Sequence, residues 1–504
     1  MQDSIQMTTS QQLQAEEVRS QMRHAMASAH WLVAEQLASS WLARGGIDWQ
    51  IRLNLAVCQS RLRLGTEQSR LALAELAFEE SQAHPAARLA LAELSIDAGL
   101  WEQGVSLLEV IKPTSLSPQQ RSSWVVLLAR ALARLGHNQQ ARQVLEMIPV
   151  GERAWPWSLT LADVWIQACC WQEAEALLQH QLQINPNLAP AHQNLALLLL
   201  SQQRCQEAWP HYEWRRSNPR IQPQGNPIAL PALADLQDRT VLVLGEQGVG
   251  DQIMYSRYLA PLAAVAKRVY VQPAARFVSL LRRQLPQSIT VLEDYPSRQD
   301  IVSSEPSPGF EVLGMASLPM LFWSTLGPYS GQSAGYFQAD PGKLAAWRDK
   351  LSGLGPGRSI GLGWLGGSNG SDTRERSLKA VDQQRLLRIP GVNWIDLQFL
   401  GLDHNSSNKQ SHHPLLYRFG HVGSDIEDSL ALIASLDSVV TTRQTAAHLA
   451  GCIGKTGFVL VPKRPEWRYW GVDGQWNWYP SLQLIQQQQR GCWEFELQAI
   501  ENSL

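Results

Sequence analysis

The sequence predicts an array of helical repeats followed by two α/β lobes, each a doubly wound parallel sheet. The first 218 residues contain almost no strand pattern, and small residues recur there with a period near 34. A proline-rich stretch from Ser217 to Pro231 then ends the helical pattern. After it, short apolar runs alternate with helical segments, the pattern of a parallel sheet covered by helices. We therefore predict helical repeats over 1–218, a linker and first lobe over 219–338, and a second lobe over 339–504.

Leu-Ala pairs mark the repeats of the N-terminal half. They begin at Leu91, Leu128, Leu161 and Leu195, and a small residue follows each leucine thirteen positions later, in turn Gly104, Ala141, Ala174 and Ala208. Small side chains let the two helices of a repeat approach closely, and a period near 34 is typical of tetratricopeptide (TPR) repeats. Counting back adds two weaker positions, Ala34 and Ser69, so up to six repeats are predicted. Such an array either binds an extended partner on its concave surface or serves as a scaffold or dimer surface.

Length, charge and cysteine usage exclude several classes of protein. The chain has 504 residues and a formal net charge of −2, with basic residues spread along it, so we expect no nucleic-acid partner. No run approaches the roughly 18 apolar residues of a membrane span, and no signal peptide is recognisable, so we expect a cytoplasmic protein. The six cysteines lack C-x-x-C spacing and are interpreted as reduced packing residues rather than metal ligands.

The stretch Val241–Met254 carries the clearest chemical pattern. Its apolar start predicts a buried strand, the glycines Gly245, Gly248 and Gly250 predict a tight turn, and Asp251 opens a helix. A helix N-terminus beside glycines suits an anionic or polar ligand, although an ordinary structural turn has the same sequence. The G-x-x-G-x-G spacing differs from a dinucleotide fingerprint, and the Lys-Ser/Thr of a P-loop is absent. A nicotinamide enzyme and an NTPase are therefore not expected.

Further short apolar segments predict the other strands of the two lobes. They are Val269–Val271, Ile289–Leu292, Ser359–Trp364, Asn393–Gln398, Ser438–Thr441 and Gly457–Val461. Two parallel sheets of this kind place a ligand cleft between the carboxyl ends of their strands.

Several segments resemble, in order, those of bacterial TPR proteins with a C-terminal GT-B glycosyltransferase module. They are the glycine loop, Ala316–Pro319, Gly363–Gly367 with Arg376–Leu378, Leu397-Gln398, Leu436-Asp437, Gln444–Gly451, Pro465–Arg468 and Trp478–Pro480. This module is similar to the heptosyltransferases and more distantly to the O-linked N-acetylglucosamine transferases. The resemblance covers most of residues 231–495. It implies a GT-B fold and transfer of a sugar from a nucleotide-sugar co-substrate, with inversion and without a metal or other cofactor, to a protein or glycan acceptor.

The resemblance also implies two catalytic residues, Asp251 and His448. Asp251 matches the carboxylate that follows the glycine loop of heptosyltransferases and there acts as the base for the acceptor hydroxyl. A carboxylate at a helix N-terminus is also an ordinary cap, which stabilises by about 1 kcal/mol. His448 either lies near the phosphate or sugar, or packs between helices with a hydrogen bond to a carbonyl.

The remaining implied site residues contact the nucleotide-sugar and its diphosphate. They are Gly248, Gly250, Gly367, Arg376, Asp425, Arg443, Gln444 and Thr445. Without a cation, the departing diphosphate requires positive potential from a helix N-terminus and from arginine. The helix after Gln444 would supply free N–H groups, and Arg376 and Arg443 would add charge. Many relatives carry Asp near Arg443, so the resemblance leaves the donor sugar open.

Two further features have a structural as well as a functional interpretation. Asp425 belongs to the segment Ser424–Glu427, which reads as a capping box ahead of an apolar helix, or it contacts ribose. Tryptophans 467, 470, 476 and 478 either pack together or present faces to a base or sugar. Two other kinds of protein fit the same pattern: an adaptor whose transferase half has lost catalysis, and a sensor that binds a nucleotide-sugar without turnover. A homodimer is a further expectation.

Overall fold

The structure, a computed structural model, describes residues 9–62, 64–149, 151, 153–217, 230–293, 310–328, 335–366, 377–398, 416–419, 425–464 and 466–504. The chain divides into two compact units, Met1–Asn194 and Leu195–Leu504. This division precedes the predicted boundary at residue 218, because the last helix of the predicted repeats packs against a helix of the first α/β lobe. Each unit is described separately below.

Helices follow one another through the repeats. They are α1 (Thr9–Ala27), α2 (Trp31–Ala43), α3 (Trp49–Leu62), α4 (Glu67–Glu80), α5 (Pro85–Asp97), α6 (Trp101–Glu109), α7 (Pro118–Arg134), α8 (Asn138–Glu146), α9 (Trp155–Gln167), α10 (Trp171–Ile184), α11 (Ala189–Ser201) and α12 (Cys205–Tyr212). From α1 to α10 each helix packs on the next, and α1, α3, α5, α7 and α9 also pack in series. This is the stacked-hairpin arrangement of a helical solenoid.

The predicted small residues lie where the two helices of a repeat meet. Each is the fourth residue of the second helix: Ala34 in α2, Gly104 in α6, Ala141 in α8, Ala174 in α10 and Ala208 in α12, and each is buried. A Cβ added to Gly104 would collide with the Ile96 side chain of the preceding helix. The predicted position Ser69 is wrong: it is exposed in the first turn of α4, and the equivalent fourth residue is Arg70.

Side-chain bonds connect consecutive repeats. The indole Nε1 of Trp124, in α7, donates to the Leu108 carbonyl at 2.9 Å, and that of Trp157, in α9, donates to the Leu145 carbonyl at 2.8 Å. Both carbonyls belong to the last turn of the preceding helix, and each also accepts a backbone N–H, from Ile111 and Ile148 respectively. The buried tryptophans therefore add a second hydrogen bond to these carbonyls while filling the core between repeats.

The first α/β lobe is built on a parallel sheet with the strand order β3-β2-β1-β4 among the described residues. Its strands are β1 (Thr240–Leu244), β2 (Arg268–Gln272), β3 (Ile289–Val291) and β4 (Phe310–Gly314). The helices between and after them are α13 (Val249–Ser256), α14 (Leu259–Val265), α15 (Val278–Gln284) and α16 (Leu318–Leu326). Strand β4 was not predicted, since Glu311 interrupts its apolar pattern; this carboxylate forms an ion pair with Arg239.

The second lobe has a larger sheet, with the order β10-β11-β12-β9-β8-β5-β6-β7 among the described residues. Its strands are β5 (Arg358–Gly363), β6 (Val392–Asp396), β7 (Leu416–Tyr417), β8 (Ser438–Thr442), β9 (Gly457–Val461), β10 (Gly471–Val472), β11 (Gln475–Trp476) and β12 (Tyr479–Gln486). Strands β5 to β9 pair in parallel, as does β12 with β9, whereas β10, β11 and β12 pair antiparallel. The helices are α17 (Pro341–Ser352), α18 (Ala380–Leu387), α19 (Ile426–Ser435), α20 (Thr445–Cys452) and α21 (Glu494–Ser503).

This element order confirms the predicted fold class, a helical array followed by two parallel α/β lobes. All the predicted strands are present, with ends that differ by one or two residues. They were recognisable because strands buried on both faces are apolar runs. The strands β10 and β11 were missed because each has only two residues, and β12 was missed because polar residues and a proline interrupt its apolar pattern.

Candidate functional site

The glycine loop after β1 turns sharply towards α13. A Cβ at Gly245 would lie 2.9 Å from Pro273 Cα and 3.0 Å from the Gln272 carbonyl oxygen, so the close approach to the end of β2 requires glycine there. Gln247 has a φ of 63°, a left-handed conformation that is uncommon for a residue with a side chain. Gly248 precedes the helix, and its N–H donates to Asp251 Oδ2 at 3.1 Å.

Asp251 therefore caps its own helix, and its other oxygen has a second partner. Oδ1 forms an ion pair with Arg468, in the segment between β9 and β10. Burial lowers the pKa of Arg468, but the nearby groups, Asp251 first among them, together outweigh it and raise that pKa well above its ordinary value. Arg468 also donates to Gln247 Oε1 at 2.5 Å and to Tyr212 Oη at 3.4 Å. The predicted base thus lies within a polar network rather than alone at a helix end.

The second lobe presents a similar strand-to-helix turn after β8. Gln444 precedes α20, and its Nε2 donates to Thr441 Oγ1 at 3.0 Å, while Thr445 is the first helical residue. The side chain of Gln444 lies over Gly363, where any Cβ would collide with it. Arg443 is buried, with its guanidinium 3.6 Å from Glu466 and 5.7 Å from the centre of the Tyr469 ring.

His448 lies on α20 in an aromatic enclosure. Its Nδ1 is 3.2 Å from Tyr479 Oη, its Nε2 is 3.1 Å from Tyr469 Oη, and the ring centre is 5.4 Å from that of Trp476. Burial, with a contribution from the Arg468 charge, lowers the pKa of His448 to about 3, so the imidazole is neutral near pH 7. This is the geometry of a packing histidine, with tyrosine hydroxyls in place of the expected carbonyl. Its catalytic role stays a prediction.

Helices α13 and α20 pack against each other and bring the two turns together. Gly250 faces the His448 ring, and a Cβ there would lie 2.6 Å from His448 Cδ2. The carboxyl ends of β1 and β8, one strand from each sheet, therefore converge at the amino ends of these helices. The structure thus groups the predicted residues Gly248, Gly250 and Asp251 with His448 and its helix.

Arg443, Gln444 and Thr445 belong to the turn that begins α20. Gly367 and Arg376 are outside the described residues. Asp425 caps α19, where its Oδ1 accepts from the Glu427 N–H at 2.8 Å, and it also forms an ion pair with Lys343. The observed cap is therefore Asp425, and Ser424 of the predicted box lies outside the described residues. Asp425 also borders a cavity of about 460 Å³ between the lobes, lined by Ser279, Arg282, Arg283, Lys343, Asp425 and Glu427.

A buried ionic cluster beside the glycine loop was not predicted. The Arg215 guanidinium contacts Glu246 with Nε at 3.2 Å and Nη2 at 2.5 Å, and Glu213 with Nη1 at 2.6 Å. Nη2 also donates to Ser317 Oγ at 2.8 Å, and Glu246 accepts from the Ala316 N–H at 3.1 Å. The available signal was the charged segment Glu213 to Arg216, which lies inside the predicted repeat region 1–218.

Tryptophans fill the space between α12, α16 and the second lobe. The ring of Trp209 contacts those of Trp323 and Trp467 at centroid distances of 5.3 and 5.7 Å, and Trp478 contacts Trp323 at 5.7 Å. Trp467, Trp476 and Trp478 are all at most 4% exposed. The packing interpretation of this aromatic cluster is therefore confirmed for these three residues.

No helix among the described residues is both long and apolar enough to cross a membrane. No family model matches the chain. Protein FlbA of Caulobacter vibrioides (strain ATCC 19089 / CIP 103742 / CB 15) is 23% identical over 337 residues, which are 61% of this chain and 54% of FlbA. The match therefore spans about half the length of that relative.

Three solved structures illustrate the similarity of fold. A tetratricopeptide repeat protein from Parabacteroides merdae is 15% identical and covers 43% of this chain and 81% of its own, with a TM-score of 0.32. TTC0263, a TPR protein of Thermus thermophilus, is 24% identical and covers 35% and 93%, with a TM-score of 0.30. The ADP-heptose lps heptosyltransferase II of E. coli is 14% identical and covers 49% and 90%, with a TM-score of 0.34. The described residues themselves show a helical array followed by two parallel α/β lobes.

Proposed function

We propose that the C-terminal module transfers a sugar from a nucleotide-sugar to a protein or glycan acceptor, with inversion and without a metal. The observation that carries the proposal is the convergence of two strand ends. The Asp251 turn of one sheet and the Arg443–Thr445 turn of the other are held together by the packing of α13 on α20. A GT-B reaction needs a base and an anion site from separate lobes, and this arrangement supplies a candidate for each.

On the donor side, the amino end of α20 is the proposed diphosphate site. Its first N–H groups have no intrahelical acceptor, and a helix N-terminus carries a partial positive charge. Thr445 adds a hydroxyl, and Arg443 adds charge that Glu466 partly offsets. Arg376, implied by the resemblance, is the second proposed cation. Together these groups would stabilise the negative charge that develops on the leaving nucleotide.

On the acceptor side, Asp251 is the proposed base. Its Oδ1 is paired with Arg468, so the carboxylate must exchange that partner for the acceptor hydroxyl, or share it, before it takes a proton. The proton transfer is proposed to come late in the reaction, when positive charge grows on the sugar. The helical array is proposed to hold the remainder of the acceptor, and binding far from the reacting atoms would raise efficiency only for a large acceptor.

A second candidate function, binding without turnover, is favoured by the same contacts. Asp251, Arg443 and His448 all have protein partners in this structure. An adaptor or nucleotide-sugar sensor would keep these contacts permanently, whereas a transferase must open at least the Asp251 pair.

Melting shifts with a panel of UDP-, GDP- and ADP-sugars test binding, since a ligand at 100 times its Kd stabilises by roughly 2.7 kcal/mol. Release of nucleoside diphosphate with the best ligand then tests turnover. Asp251→Asn keeps a cap but removes the base, so it is expected to lower turnover by at least ~100-fold while donor binding persists. Donor binding without turnover in the wild type would favour the sensor, and no binding across the panel would favour the adaptor.

A further inference from the structure

We infer that Tyr212, the last residue of the final repeat helix, is a positioning residue of the transferase site, a role that rests on the proposed transfer reaction. It acts on the Asp251 carboxylate through Gln247 and Arg468. The repeat array thus contributes a hydroxyl to the polar network of the glycine loop, in addition to any acceptor surface it provides.

The contacts run without a break from the helix to the carboxylate. Gln247 Nε2 donates to Tyr212 Oη at 2.7 Å, and Arg468 Nη2 approaches the same oxygen at 3.4 Å. The amide oxygen of Gln247 accepts from Arg468 Nη2 at 2.5 Å. Arg468 then pairs with Asp251 Oδ1. Tyr212 and Gln247 therefore hold the guanidinium at Nη2 while Asp251 binds it at Nε.

Both oxygens of Asp251 are positioned by this arrangement. Oδ2 is held by the Gly248 N–H at 3.1 Å, so the position of Oδ1 depends on where Arg468 lies. The left-handed φ of 63° at Gln247 brings that side chain between Tyr212 and Arg468. Non-glycine residues keep such a conformation where surrounding contacts determine it, and such residues cluster at functional sites.

The ring and the hydroxyl of Tyr212 have separate contacts, which makes the role testable. The ring lies 5.7 Å from the Trp209 ring and 5.9 Å from the Trp467 ring, and the Arg215 guanidinium lies 4.8 Å from its centre. Phenylalanine retains all three of these contacts. Tyr212→Phe therefore removes the shared acceptor of Gln247 and Arg468 while the packing remains.

Tyr255 provides a matched control on α13. It is fully buried, and its ring packs edge-on against Trp478 at 6.2 Å. Its hydroxyl has no hydrogen-bond partner among the described residues. Tyr255→Phe deletes the same atom from the same type of residue without removing any hydrogen bond of the network.

The test uses the full chain with the nucleotide-sugar that gives the largest melting shift on the wild type. Tyr212→Phe is expected to lower kcat about three- to tenfold, the effect of losing one supporting hydrogen bond, while the donor KM is unchanged and the melting temperature falls by about 1–2 °C. Tyr255→Phe is expected to match the wild type in kcat and KM. Unchanged kcat in Tyr212→Phe, or an equal loss in Tyr255→Phe, would overturn the positioning role.

A melting measurement separates failure of this inference from failure of the proposed function. Gln247→Gly relieves the left-handed backbone and removes the bridging amide, so the variant is expected to fold. If the wild type turns over none of the sugars, the proposed reaction fails, but the network still predicts coupling between positions 212 and 247. The melting shift caused by Tyr212→Phe should then shrink by at least half in the Gln247→Gly background. Equal shifts in both backgrounds would show that the Tyr212 hydroxyl does not act through Gln247, and the inference would be wrong.

Discussion

Replacing Arg215 by methionine is expected to destabilise the second unit by about 3–5 kcal/mol, the cost of leaving buried charges without their partner. Arg215, Glu213 and Glu246 have side chains at most 8% exposed, so water cannot take over the role of the guanidinium. In the variant, Glu246 keeps the Ala316 N–H and Glu213 keeps the Ser317 hydroxyl. Neither of these neutral donors balances a charge.

The expected melting shift follows from the size of the unit. Residues 195–504 form one compact unit, and the entropy of unfolding is about 2.1 cal/mol/K per residue. A loss of about 3–5 kcal/mol then corresponds to a fall of roughly 5–8 °C in the melting temperature of that unit. Calorimetry of a chain beginning at Leu195, compared with the full chain, assigns this transition to the second unit.

Two companion variants isolate the charge effect. The triple variant Arg215→Met, Glu213→Gln and Glu246→Gln removes all three charges together and is expected to recover most of the lost stability. Arg282→Met breaks a pair with Glu293 in the same unit whose side chains are 48% and 64% exposed, and is expected to cost less than about 1 kcal/mol. A loss in Arg215→Met no larger than in Arg282→Met would refute the reasoning.

Three further predictions concern the same unit. A chain beginning at Ile228 lacks the buried end of the repeats and should be insoluble or melt far below a chain beginning at Leu195; similar melting temperatures would contradict this. Gly250→Ala places a methyl group against the His448 ring and is expected to cost about 1–3 kcal/mol by urea unfolding, whereas Gly151→Ala, with open space around it, should be neutral. The pKa of His448 is about 3 in the folded state and near 6.5 when unfolded. The stability that depends on its neutral imidazole is therefore fully present above pH 6.5 and is lost as the pH falls towards 3. Over that interval the wild type should lose up to about 4–5 kcal/mol more than His448→Gln in denaturant titrations, and parallel pH curves would argue against a neutral, buried histidine.

Local pattern was sufficient for most of the fold. The Leu-Ala pairs and small residues of the repeats lie on opposite helices of each hairpin, as their spacing predicts, because helix packing depends on side-chain size at a few fixed positions. The strand-to-helix turn at Gly248 was also predicted from the sequence, because the glycines and the capping carboxylate that form it lie within a few residues of one another. The prediction at Ser69 was wrong because counting by the period leads to the third residue of α4. The small residues of the other repeats occupy the fourth position of their helices.

The site itself depends on contacts that no local pattern encodes. Arg468 meets Gln247 across 221 residues and Tyr212 across 256, and Arg215 meets Ser317 across 102. The sequence suggested that Asp251 is a cap or a base, and the cap is observed, but the arginine beside it became visible only in the folded chain.

By itself, the sequence determined the fold class of each half of the chain and the positions of the strand-to-helix turns. Hydrophobic periodicity, glycine turns and helix caps depend only on residues that are neighbours in the sequence. Only the tertiary structure decided that the end of the repeats belongs to the same compact unit as the α/β lobes. In the sequence, Tyr212 and Arg215 belong to the last predicted repeat, and nothing there indicates their contacts with the first lobe. Burial then gives their polar groups specific partners, since a charge or hydroxyl removed from water is stable only where another chain segment satisfies it.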